Sequence, residues 1–131
     1  MEYEVIWGGE AEDILIRTSG PATVPELNAM VKETLADPRF RPGLKVLLDH
    51  REAGFTGFTT SHLRARADQA AWQLQQGKPS RVALVFARDL QVMVGRLLES
   101  FISARTSIKI RTFRSLDGAR EWLRGDPEAR G

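Results

Sequence analysis

The sequence predicts an α/β domain with the element order ββαβαβαβα, a mixed, mostly parallel five-stranded sheet packed with four helices. Three observations carry this. Two short, nearly unbroken apolar runs, Leu44–Leu48 and Arg81–Ala87, have the composition of strands buried on both faces. Segments of helical period alternate with the strand-like segments, the pattern of a parallel sheet. Only the first two strand-like segments are joined by a short turn, which makes them an antiparallel hairpin at a sheet edge.

In chain order, Glu2–Trp7 alternates, with Tyr3, Val5 and Trp7 on one face and Glu2, Glu4 and Ile6 on the other. After Gly8-Gly9-Glu10, Asp13–Thr18 is a second strand, and Ser19-Gly20-Pro21 is expected to break it. Thr23-Val24-Pro25-Glu26 has the form of a capping box with proline in the first turn. Leu27, Met30, Val31, Thr34 and Leu35 then recur at helical spacing, and Asp37-Pro38 ends that helix.

The central run Leu44–Leu48 is expected to stop at the charged group Asp49–Glu52, with a loop through Gly54 and Gly57 leading to a helix from about Thr60 to Gln76. Its core stripe is Leu63, Ala67, Ala70, Ala71 and Leu74, and Trp72 falls on the opposite face with Ala65, Asp68 and Gln69. After Arg81–Ala87, Asp89 is placed to cap a helix with the stripe Leu90, Met93, Val94, Leu97, Leu98 and Phe101. Ile108–Phe113 alternates as an edge strand, and Ser115 caps a last helix with Leu116, Ala119 and Leu123 inward. The domain thus spans residues 1–123, and the polar stretch from Arg124 to Gly131 predicts a disordered tail.

Composition narrows the function classes. At 131 residues the chain suits one domain with a real core. Cysteine is absent, which excludes disulfides and thiolate metal sites and fits a reducing cytoplasm. No apolar run approaches the roughly 20 residues that span a bilayer, and the acidic N-terminus is unlike a signal peptide, so a cytoplasmic protein is expected. The formal net charge is +2 and the basic residues are dispersed, which argues against nucleic acid as a partner.

The candidate site lies where the central apolar run ends, because ligands of open parallel sheets dock at the carboxyl ends of strands. Asp49, His50, Arg51 and Glu52 would form a polar rim, joined by Arg88 and Asp89 after the next strand and by Arg114 after the last. The arginines and a helix N-terminus would favour an anion; the competing reading is a self-neutralising surface in which Asp49 or Glu52 pairs with Arg51 or Arg88. Phe55 and Phe58 would anchor the loop or line a ligand mouth, and Thr59, Thr60 and Ser61 open the following helix.

No catalytic residue is assigned. His50 beside Asp49 could serve as a general base, but no nucleophile or electrophile stabiliser accompanies it. His50 and His62 lack metal-site spacing, and the glycines of the GFTGF loop lack the spacing and lysine of a phosphate cradle, so no metal or cofactor is expected. Trp72, exposed on its helix, is a candidate interface residue.

With these elements in place the chain resembles the SpoIIAA-like proteins of the STAS/Sec14-type group. The carrying residues are Leu47, Leu48 and Asp49, Arg81–Val85, and the closing run Ile110–Phe113, Arg114, Asp117, Ala119, Trp122 and Leu123. The resemblance spans roughly Tyr3 to Leu123 and implies a mixed-sheet α/β fold with non-enzymatic binding or regulatory roles. It also brings a departure. Anti-sigma-factor antagonists that share this fold carry an Asp-Ser-Ser-Gly type turn whose serine is phosphorylated, whereas this chain reads Asp49-His50-Arg51-Glu52-Ala53-Gly54.

The expectation is therefore a regulatory or scaffold domain that binds another protein, or itself as a homodimer, without the usual phosphoserine switch. The alternative is a Sec14-like binder of a small apolar molecule or lipid, which requires an apolar cavity behind Phe55, Phe58, Phe86 and Leu90.

Overall fold

A computed structural model of the chain describes residues 1–125. Among these, the elements are β1 (Glu2–Trp7), β2 (Ile14–Pro21), α1 (Val24–Ala36), β3 (Lys45–Gly54), α2 (Thr60–Gly77), β4 (Arg81–Val85), α3 (Asp89–Ser103), β5 (Lys109–Phe113) and α4 (Leu116–Arg124). The sheet runs β1-β2-β3-β4-β5. β1 and β2 are antiparallel, and every later pair is parallel.

Strand alternation sorts the core onto two faces. Ile14, Ile16, Val46, Leu48, Val82 and Leu84 point to one face, where α1, α2 and α3 cover them through residues such as Met30, Ala67 and Ile102. Leu15, Leu47, Ala83 and Val85 point to the other, where α4 supplies Ala119, Trp122 and Leu123. Three helices thus lie on one face and one on the other.

Local chemistry sets the helix ends. Thr23 and Glu26 form the capping box of α1, and Ser115 caps α4 through the Gly118 amide. In α2, Thr59 accepts from the His62 amide while its own amide donates to His62 Nδ1. At the far end of α4, the buried Arg81 donates through Nη1 to the carbonyls of Trp122 and Gly125 at 2.5 and 3.1 Å. This places a cation on the orphan carbonyls at the negative end of the helix.

Several boundaries differ from the expectation. Ser19-Gly20-Pro21 does not break β2, which runs on beside β3 with Ser19, Gly20 and Pro21 opposite Glu52, Ala53 and Gly54. β1 pairs with β2 only as far as Ser19, so Pro21 sits on a free edge, where a missing N–H removes no β1 partner. By the same pairing, Asp49–Gly54 is strand rather than loop. Asp89 is the first residue of α3 and does not cap it; Arg88 holds the cap position with no side-chain bond. Arg124 belongs to α4, and the rest of the expected tail, residues 126–131, lies outside the described residues.

The largest correction concerns α3. Leu90, Met93 and Leu97, expected inward, are 72%, 66% and 40% exposed, whereas Val92, Gly95 and Ile102 are buried. The helix is apolar on most of its circumference, so its phase was ambiguous in the sequence. Gly95 resolves it: a Cβ there would stand 2.4 Å from Phe86 Cε2 and 2.9 Å from Thr112 Cγ2. The absent side chain lets α3 press its Gly95 side onto the sheet, which turns Leu90, Met93 and Leu97 outward.

Candidate functional site

The residues expected to form one rim at the end of β3 are divided between the two faces of the sheet. Because β3 continues past Asp49, successive side chains alternate. Asp49 shares its face with Leu47, the α4 side, and His50 joins Leu48 on the other. Both are buried, at 4% and 6% exposure, so neither belongs to an open docking rim.

On the α4 face Asp49 is held by arginines. Arg51 grips it by two parallel bonds, Nε to Oδ1 at 2.9 Å and Nη2 to Oδ2 at 3.0 Å, and the Arg51 amide adds a third. Arg17, its register partner on β2, lies 3.5 Å away. Burial pushes the carboxyl up, but the Arg51 bonds and the Arg17 charge outweigh it and hold Asp49 below the usual carboxylate range. Nearby, buried Glu12 receives Arg120 through Nε and Nη2. Farther along the rim Arg114 pairs with Asp89. Two of the three arginines expected to attract an anion, Arg51 and Arg114, are thus paired with carboxylates, while Arg88 and Glu52 are exposed. Thr59 is the cap of α2, and Thr60 and Ser61 are exposed in its first turn.

The other face holds a cavity of about 90 Å³ between the sheet and α1–α3. A single water needs roughly 10–15 Å³ by the same kind of measure, so this space exceeds a one-water site several-fold. Its wall is almost wholly apolar and includes Met30, Leu48, Leu84, Leu98 and Ile102. Phe55, Phe58 and Phe86 line it, whereas Leu90 is on the surface. The rings of His50, Phe55, Phe58 and Phe86 form a contiguous group, with neighbouring centroids 5.4–5.7 Å apart.

Four polar side chains interrupt this wall: Thr34, His50, Arg66 and Gln73. Thr34 returns its hydroxyl to the Met30 carbonyl. His50 Nδ1 lies 2.7 Å from Thr18 Oγ1. Burial, and then the Arg66 cation, push the His50 pKa down to about 4, against the opposing pull of Asp49, so the ring is neutral at physiological pH. Gln73 donates to the Asn28 carbonyl and accepts from Arg66.

Arg66 is buried at 8% exposure and donates through Nη1 to Asn28 Oδ1 at 2.9 Å and Gln73 Oε1 at 3.1 Å. Both acceptors are neutral, and no carboxylate pairs with it among the described residues. Burial lowers its pKa to about 10. The sequence reading missed Arg66 and Gln73. A signal was available: they are seven residues apart and share the stripe of Leu63 and Ala70, where two polar side chains interrupt an apolar face.

Trp72 is 56% exposed on the outer side of α2. Among the described residues no cluster of histidine, aspartate and glutamate could hold a metal ion, and no helix is long and apolar enough to cross a membrane.

Known proteins agree with this architecture. A crystal structure of an uncharacterized protein of the DUF3478 family with a SpoIIAA-like fold, from Shewanella loihica PV-4, superposes with a TM-score of 0.57 at 18% identity, covering 92% of this chain and 93% of that one. No curated protein matches the chain. The SpoIIAA-like family pattern matches residues 14–124, from the start of β2 to the end of α4, and therefore takes in the four parallel strands β2–β5, the cavity and all four helices, but not β1. The chain belongs to the SpoIIAA-like family.

Proposed function

We propose that this domain is a non-enzymatic binding module that takes a small apolar or amphiphilic molecule into the cavity between its sheet and α1–α3. The observation that carries the reading is the cavity itself: an apolar wall closed by Phe55, Phe58 and Phe86, with a few polar groups gathered among them. Sites for small molecules have this make-up, an apolar lining with sparse polar groups that fix orientation. The polar groups do not assemble a catalytic set. His50 is neutral, and the hydroxyl it meets, that of Thr18, is buried at 2% exposure and does not line the cavity. No serine or threonine directly follows Asp49, so binding would proceed without a phosphoserine switch at that turn.

Native mass spectrometry of the full chain purified without refolding tests this. A removable adduct, or saturable binding of a neutral medium-chain alcohol by calorimetry, is expected. A bare mass together with no alcohol binding overturns it.

A second reading, association with another protein or with a second copy, is favoured by a separate observation. Trp72 on α2 and Leu90, Met93 and Leu97 on α3 leave large apolar side chains in water. Sedimentation of the wild type beside Trp72→Ala tests it. A dimer that dissociates in the variant supports self-association through this surface, and a wild-type monomer at all concentrations removes the homodimer.

A further inference from the structure

Arg66 is the one buried cation in the wall of the cavity, and the way it is held leaves a defined part of it unused. Its Nη1 is committed to Asn28 and Gln73, while Nε and Nη2 make no hydrogen bond among the described residues. Elsewhere the same chain shows what that edge of a guanidinium takes. Arg39 grips Asp37 through Nε and Nη2, Arg51 grips Asp49 by the same two atoms, and so does Arg120 with Glu12. Each pair is a planar fork meeting a two-oxygen acceptor. Arg66 lines the apolar wall with no acceptor on that fork, whose nitrogens are not among the fully buried unpaired atoms and so keep accessible surface for a ligand, while Gln73 and Asn28 keep its other end in place.

We propose that the cavity takes an amphipathic monocarboxylate, its head group paired with the Nε–Nη2 edge of Arg66 and its hydrocarbon chain lying among Leu48, Leu84, Leu98 and Ile102. The inference rests on the ligand-binding reading above and adds the ligand's charge, head-group shape and orientation.

Charge accounting favours one negative charge. An isolated buried cation is costly, and a single anion beside it removes that cost without leaving an uncompensated charge. His50, the other titratable group of the wall, stays neutral because burial and Arg66 itself oppose its protonation, so it brings no second positive charge. Asp49 is engaged on the opposite face by Arg51 and Arg17 and does not compete for Arg66. A phosphate monoester, with nearly two negative charges, would remain net anionic against an apolar wall.

Calorimetric titration of the full chain at neutral pH with octanoate, 1-octanol and octyl phosphate tests the assignment. Wild type is expected to bind octanoate about ten-fold or more tightly than 1-octanol, as a charge-assisted bidentate pair would give. Arg66→Met should abolish that preference and keep 1-octanol binding; Arg66→Lys should keep part of it. Equal affinity of wild type for octanoate and 1-octanol, or a preference that survives Arg66→Met, overturns the Arg66 pairing while leaving the cavity reading in place. Tighter binding of octyl phosphate than octanoate overturns the monocarboxylate. Binding of none of the three overturns the cavity reading and this inference with it. The wild-type comparison decides the matter even if Arg66→Met does not fold.

Discussion

Thr18 and His50 meet across the β2–β3 pair, with Thr18 Oγ1 2.7 Å from His50 Nδ1, and this contact fixes a neutral imidazole in the wall of the cavity. The β2–β3 register shifts between Arg17 and Ser19, the irregularity at which Thr18 sits. His50 is packed between Phe55 and Phe86 and faces the Arg66 cation, so protonation would put a second positive charge into an apolar space.

That burial predicts acid sensitivity. The His50 pKa falls from 6.5 to about 4 on folding. Between those values the unfolded chain binds the proton and the folded one does not, so stability is full above the unfolded pKa and is lost as pH falls towards the folded one. The loss is roughly 3 kcal/mol, from 1.36 kcal/mol per unit. Urea unfolding over this window should show the decline in wild type and a flatter profile in His50→Gln; parallel profiles would exclude His50 as the cause.

The Glu12–Arg120 pair ties the β1–β2 turn to α4. Arg120 is partly exposed, whereas Glu12 is buried, so removing the arginine strands a carboxylate without its partner. Arg120→Met is expected to cost about 2–3 kcal/mol. The double variant Glu12→Gln/Arg120→Met should recover part of that loss. Chemical denaturation of the two variants checks both, and a double variant less stable than the single one would contradict the account.

Gly95 sets the approach of α3 to the sheet. Any side chain there meets Phe86 and Thr112 below contact distance. Gly95→Val should destabilise by about 1–3 kcal/mol through overpacking, although valine replaces glycine in a helix. A variant as stable as wild type would show that α3 can lift at little cost.

The outward turn of α3 separates two truncations that look alike in sequence. Leu90→Ala should change stability by less than about 0.5 kcal/mol, since the side chain is already in water. Ile102→Ala, fully buried in the cavity wall, should cost roughly 2–5 kcal/mol. Thermal melts of the pair would expose a wrong helix phase at once, because the two effects would then be comparable.

Much of the architecture was legible from residues alone, because it depends on local chemistry. The apolar runs of β3 and β4 had the length and composition of buried strands, the Thr23–Glu26 box and Ser115 marked helix starts, and the short β1–β2 connection pointed to a hairpin. The alternating order of strands and helices then left a mostly parallel sheet as the consistent arrangement, and the family resemblance followed from the same segments.

The candidate site was decided by tertiary contacts. Asp49 and His50 are neighbours in sequence, yet strand alternation through the unexpected extension of β3 sends one to the arginines of the α4 face and the other to the cavity. Whether a strand ends at a charged residue depends on what pairs beside it, and here the β2 extension, with Pro21 on its free edge, supplies that partner. The phase of α3 rested on one glycine's contact with Phe86 and Thr112. Arg66 and Gln73 appear in the sequence as ordinary polar residues of a helix; only the packing of α2 against α1 and the sheet buries them and brings Asn28 within reach. The elements, their order and the two apolar faces were readable from residues because they follow from period, caps and turns. The tertiary structure alone decided which polar groups face the cavity, because that depends on register, helix phase and the approach of distant backbones.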